Sequence, residues 1–94
     1  MSKAPAFQLY AADFYMDTAS WPIEAVGIYT RLLFCQWVNG ALPSDNKELA
    51  RIAGCSVKKL LNNSNYWSGK FKQNGDGYLK NTRLEETRKK QLDY

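Results

Sequence analysis

Between residues 22 and 39 the chain is apolar at Ile23, Val26, Ile28, Tyr29, Leu32, Leu33, Phe34, Trp37 and Val38, and clearly polar only at Glu24, Thr30, Arg31 and Gln36. That density predicts a helix. Pro22 suits its first position, Glu24 lies in the turn where a carboxylate meets the positive end of the helix dipole, and Asn39-Gly40 forms the stop. The apolar residues cover more than one face, so the helix is either central to the core or shared with a partner. Ahead of it, Phe7-Gln8-Leu9-Tyr10 alternates weakly, in the manner of a short edge strand. It leads into Asp13-Phe14-Tyr15-Met16-Asp17-Thr18, whose aromatics need a surface and are expected to form a lid on the long helix.

Two shorter helices are predicted after the turn at Leu42-Pro43. Ser44 or Asp45 caps the first, whose apolar face is Leu49, Ala50, Ile52 and Ala53 and whose stop is Gly54. Ser56 caps the second, in which Val57, Leu60 and Leu61 face in while Lys58, Lys59, Asn62 and Asn63 face out. From Trp67 to Gln73 polar and apolar residues alternate, Asn74-Gly75-Asp76-Gly77 has the residue types that tolerate positive φ, and Tyr78-Leu79-Lys80-Asn81 alternates again. A β-hairpin is expected there. Thr82 with Glu85 three positions on resembles a capping box, opening a charged helical run over residues 83–92 anchored by Leu84. No repeat, linker or low-complexity stretch interrupts the pattern.

Composition narrows the class. The 94 residues are 45% hydrophobic with thirteen aromatics, enough for one core and one domain spanning residues 1–94. The basic helix from about residue 82 is of a kind that could continue in a longer protein, and the sequence leaves that open. No apolar run approaches the roughly 18 residues a membrane span needs, and the opening Met-Ser-Lys-Ala-Pro leads into no secretory core, so a cytoplasmic, soluble protein is expected. The net charge of +4 is uneven: residues 1–47 carry −1 and residues 48–94 carry +5. The second half is therefore the one suited to an anionic partner.

The missing residues restrict the chemistry further. There is no histidine, which removes the usual base near neutral pH, the Ser/His and Cys/His nucleophile pairs and the commonest zinc ligand. Cys35 and Cys55 are two thiols twenty positions apart inside apolar patterns, too few for zinc and not a Cys-x-x-Cys. Asp13 and Asp17 lack a third ligand and flank aromatics, which favours turn or cap roles. Asn62-Asn63-Ser64 matches the glycosylation pattern without secretory context, and Asn74-Gly75-Asp76-Gly77 is too short for a calcium loop or a phosphate cradle. No enzymatic activity, catalytic residue, metal, cofactor or small-molecule substrate is expected.

Two short helices joined at a glycine and followed by a hairpin give the order of a winged helix-turn-helix, a mainly α fold with a small β-hairpin. Ala50 lies four before Gly54, small enough for the helices to cross closely, and Leu60 follows six after it to pack back. An apolar residue is usual near position 63, so Asn63 implies that this helix ends early or packs differently. On this fold Lys58, Lys59, Asn62 and Asn63 are of the types that read DNA, asparagine matching the edge of adenine and lysine reaching guanine or phosphate. Lys70, Lys72 and Lys80 on the hairpin would touch the flanking backbone. Single-strand binding by stacking on Tyr66, Trp67, Phe71 or Tyr78 is a lesser option, since aromatics at strand spacing more often fill the space beneath a hairpin.

A set of residues in order carries a family resemblance: Asp13-Phe14, Asp17-Thr18, Gly27-Ile28-Tyr29, Leu32-Leu33, Trp37, Leu42-Pro43, Leu49-Ala50-Arg51, Phe71, Asp76-Gly77, Leu79, Asn81-Thr82-Arg83-Leu84 and Glu86. Together they resemble the phage and prophage domain of unknown function seen in YdaU-like proteins, over residues 7–89. Trp21-Pro22 departs from the pattern, which more usually has a smaller aliphatic and a capping hydroxyl, and so do residues 66–70. The resemblance implies a place among phage replication genes and an architecture similar to the N-terminal domains of replisome organisers. In those, a winged helix recognises an origin or self-associates. No catalytic or binding residues come with it. The expectation is a DNA-binding domain acting in phage replication initiation or its control, with duplex DNA as partner. Its rival is an oligomerisation or protein-interaction module, pairing with itself or a replication protein through the long helix and its lid.

Overall fold

In the computed structural model, which describes residues 11–73 and 77–81, the chain is organised around α2 (Ile23–Asn39). Ala25, Ile28, Tyr29, Leu32, Leu33, Gln36 and Trp37 are its buried residues, spaced three and four apart so that they share one face. Ile23, Phe34 and Val38 lie on the other face and are exposed, Phe34 the least of the three. Pro22 is the residue before the first turn, with extended backbone. Gly40 closes the helix at φ 90° and donates its N–H to the Gln36 carbonyl at 2.6 Å.

The aromatic segment before α2 is a helix, α1 (Ala11–Thr18), held against α2 through Phe14. The Phe14 ring stacks on Tyr29 with centroids 5.6 Å apart. The buried Thr18 hydroxyl donates to the Phe14 carbonyl at 2.8 Å. Trp21 and Phe71 approach Tyr29 at 5.4 Å and 5.9 Å, so Tyr29 is the hub at which the lid, the long helix and the start of the hairpin meet.

After α2 come α3 (Asn46–Ala53) and α4 (Val57–Asn62), each with a local stop and start. The Asp45 carboxylate accepts the Glu48 N–H at 3.2 Å and the Ser56 hydroxyl accepts the Lys59 N–H at 3.1 Å. Between the helices Gly54 takes φ +77° and donates its N–H to the Ala50 carbonyl at 2.9 Å. Leu49 and Ala50 of α3 and Leu60 of α4 are buried against α2, with Leu32, Leu42, Trp37 and Phe71 in the same cluster.

Residues 67–70 are helical, where the alternation predicted a strand. A short helix, α5 (Ser64–Trp67), runs into one 3₁₀ turn (Ser68–Lys70). Trp67 and Phe71 satisfy both patterns, being two strand pairs apart and also one helical turn apart, and the indole decides between them. Buried Trp67 donates Nε1–H to the Leu60 carbonyl at 3.1 Å, which requires the chain to stay coiled against α4. Among the described residues β1 (Lys72–Gln73) and β2 (Leu79–Lys80) form the antiparallel pair, with Lys72 opposite Lys80 and Gln73 opposite Leu79. Leu79 also bridges Leu42 in the α2–α3 connection, through N–H to carbonyl bonds of 2.8 Å and 2.9 Å.

The expected edge strand over residues 7–10, the tip of the hairpin at 74–76 and the charged run over 83–92 lie outside the described residues. Among the described residues no helix is long and apolar enough to cross a membrane, and no group of three or more acidic, cysteine or histidine side chains is placed to hold a metal ion.

Candidate nucleic-acid interface

Lys58, Lys59 and Asn62 all stand exposed on α4. Spacing explains this: Leu60 turns inward at the centre of a six-residue helix, and the residues two before, one before and two after it point elsewhere. With Glu24, Ser56 and Asn63 they line an open depression of about 330 Å³ between α4 and the start of α2.

Lys59 is the best fixed of the group. Its N–H is held by the Ser56 hydroxyl, and its carbonyl accepts from the Asn63 backbone N–H at 3.2 Å and from the Asn63 side chain at 2.9 Å. Its ammonium lies 3.1 Å from Glu24 Oε2, with the two side chains 53% and 51% exposed. Lys59 therefore faces solvent with one carboxylate beside it.

Asn63 corrects the sequence reading. It is buried rather than outward, because its side chain turns back to cap the last turn of α4 and its backbone leaves the helix at φ −101°, ψ 5°. The helix does end early, as an asparagine at that position implied. Lys70 is the second correction. It sits on the 3₁₀ turn rather than on a strand, with its ammonium 5.8 Å from the centroid of the Trp21 ring. Lys72 and Lys80 do lie on the hairpin, directly opposite one another, Lys72 exposed and Lys80 half-buried. The seven residues thus fall into three groups: the α4 depression, the Trp21–Lys70 contact and the hairpin lysine pair.

Further residues shape this surface without having stood out in the sequence. Arg31 of α2 covers the turn between α3 and α4, its guanidinium so placed that a Cβ on Gly54 would lie 3.0 Å from Nη1. Arg51 on α3 is ion-paired with Glu48. That hydrogen bond first, then the charge of Glu48, raises the guanidinium above its ordinary pKa. Among the aromatics proposed for stacking, Trp67 and Phe71 are buried, while Tyr66 and Tyr78 keep exposed edges, Tyr66 with its centroid 5.7 Å from that of Trp21.

The fold defines a class: a mainly helical domain with a two-stranded antiparallel sheet and a lysine-bearing depression on its fourth helix. A family model described as a protein of unknown function, DUF1376, matches residues 5–87, and the chain belongs to that family. No curated protein and no solved structure matches it.

Proposed function

We propose that this chain is a non-enzymatic DNA-binding domain of winged helix-turn-helix type, in which α4 enters the groove and the β1–β2 hairpin is the wing. The observation that carries the reading is the placement of Lys58, Lys59 and Asn62 together on the exposed side of the helix that follows the glycine turn. The bridge between Leu42 and Leu79 supports it, since a short strand ahead of the helix pair that joins the hairpin is part of a winged arrangement. Phosphate contacts from the lysines would set affinity and register, and Asn62 would read a base edge. A role in phage or prophage replication initiation rests on the resemblance to YdaU-like domains.

Three exposed lysines, 58, 59 and 72, are placed for phosphates, while Lys70 is turned toward Trp21. Duplex affinity should then fall with salt at a log–log slope of roughly −2.7, each contact releasing about 0.9 of a counterion. Anisotropy titrations across a salt series test this. Lys58→Ala with Lys59→Ala should flatten the slope by about 1.8, and Lys70→Ala should leave it in place. A slope unchanged by the double substitution removes α4 from the interface.

A second reading, self-association, is supported by two exposed aliphatics of α2. Ile23 and Val38 are 82% and 71% exposed and stand symmetrically about the helix midpoint, as Gly27 and Phe34 do. In an antiparallel pairing of two copies each aliphatic would meet the other. Sedimentation of the wild type beside Ile23→Glu/Val38→Glu separates the readings: a dimer dissolved by the double substitution and indifferent to DNA favours this one.

A further inference from the structure

Glu24 and Lys59 come from opposite sides of the α4 depression. Glu24 lies in the first turn of α2, Lys59 in α4, thirty-five positions later. At 3.1 Å the carboxylate stands where a backbone phosphate oxygen would stand against the same ammonium. The backbone from which the Lys59 side chain starts is fixed beside Glu24, because its N–H and carbonyl are each held by a side chain, Ser56 and Asn63. Both members of the pair are about half exposed, so a solvent-borne anion has access to the ammonium from the open side.

Resting on the DNA-binding reading, we propose that Glu24 lowers the affinity of Lys59 for nucleic acid: its carboxylate competes with a backbone phosphate for the same ammonium. A phosphate contact carries no sequence information. A built-in competitor for it therefore weakens binding to every duplex alike and leaves discrimination to the base-facing Asn62. The effect is modest by construction, because a pair exposed to this degree biases an equilibrium by a factor of about 1.5 to 5.

The test is a double-mutant cycle on the whole chain, read by anisotropy with a short mixed-sequence duplex at low and moderate salt. Glu24→Gln should tighten binding about two- to fivefold in the wild-type background. In a Lys59→Gln background the same substitution should change nothing, because the competed ammonium is gone. Tightening that persists in the Lys59→Gln background would reduce Glu24 to a general repulsive charge and overturn the proposal, as would no tightening at all. Failure of the DNA reading looks different: wild type and all variants then bind no duplex even at low salt. Thermal melts of each variant establish that all four proteins are folded, and the exposed pair should shift the midpoint little.

Discussion

The carboxamide of Gln36 and the backbone of Asn81 bind each other at both ends. Gln36 Nε2 donates to the Asn81 carbonyl at 3.1 Å, and Gln36 Oε1 accepts the Asn81 N–H at 2.7 Å. Gln36 is wholly buried, so these two bonds satisfy polar groups that water cannot reach. The Asn81 side chain extends the clamp, donating to the Lys70 carbonyl at 2.9 Å. The end of the hairpin is thereby joined to the middle of α2 and to the 3₁₀ turn at once.

Gln36→Ala should therefore destabilise the domain by about 2–3 kcal/mol, because it leaves the N–H and carbonyl of Asn81 buried without their partner. Urea denaturation measures the loss. Hydrogen exchange should locate it, the Asn81 amide losing protection before those of α3. Equal loss across both would show that the clamp is not local to the hairpin.

Gly54→Ala tests how the turn between α3 and α4 is built. Two costs are present, a φ of +77° and a Cβ within 3.0 Å of Arg31 Nη1. The guanidinium is the mobile end of a flexible side chain, so backbone strain dominates, at about 1–2 kcal/mol. Arg31→Ala should consequently recover almost none of the stability lost in Gly54→Ala. Substantial recovery in the double variant would assign the glycine to the arginine instead.

Asn62 and Asn63 are adjacent and should behave oppositely. Asn63→Ala removes the side-chain bond to the Lys59 carbonyl and should lower stability by about 1 kcal/mol. Asn62→Ala, at an exposed position, should leave the melting temperature within a degree or so and, under the proposed function, reduce the preference between related duplexes. Competition anisotropy with duplexes differing at single base pairs reads the second effect.

Lys72 faces Lys80 across the hairpin, and like charges directly opposed on a ladder destabilise it by roughly 0.2–1 kcal/mol. Lys72→Glu should raise hairpin stability by an amount in that range, and under the proposed function it should at the same time weaken duplex binding. A change that lowered both would mean that the pair is not repulsive in the folded protein.

What the sequence disclosed followed from how far apart the interacting groups lie. Asp45, Gly54 and Ser56 act within three or four residues of their own position, so the helix pair and its turn were readable from residue type alone. Gln36 was not: it reads as a surface residue of the long helix, and its partner is forty-five positions away. Glu24 likewise shows only its favourable place near a helix start, whereas its contact with Lys59 exists only after folding. The segment from Trp67 to Phe71 misled for a different reason, since its apolar spacing fits two periodicities and a single indole hydrogen bond selects one. Asn63 gave a usable signal that α4 is short, but not the direction its side chain takes.

The bond pair between Leu42 and Leu79 encloses α3, α4 and α5 in one loop of chain. Helices of eight, six and four residues are far below the length of about 12–15 at which a helix persists alone in water. Their order comes from packing against α2, in whose cluster Leu49, Ala50, Leu60 and Trp67 are buried, with the bridge closing the loop behind them. During synthesis, then, the lysines of α4 leave the ribosome some twenty residues before Leu79 does, so they emerge before the bond pair that closes the loop can form.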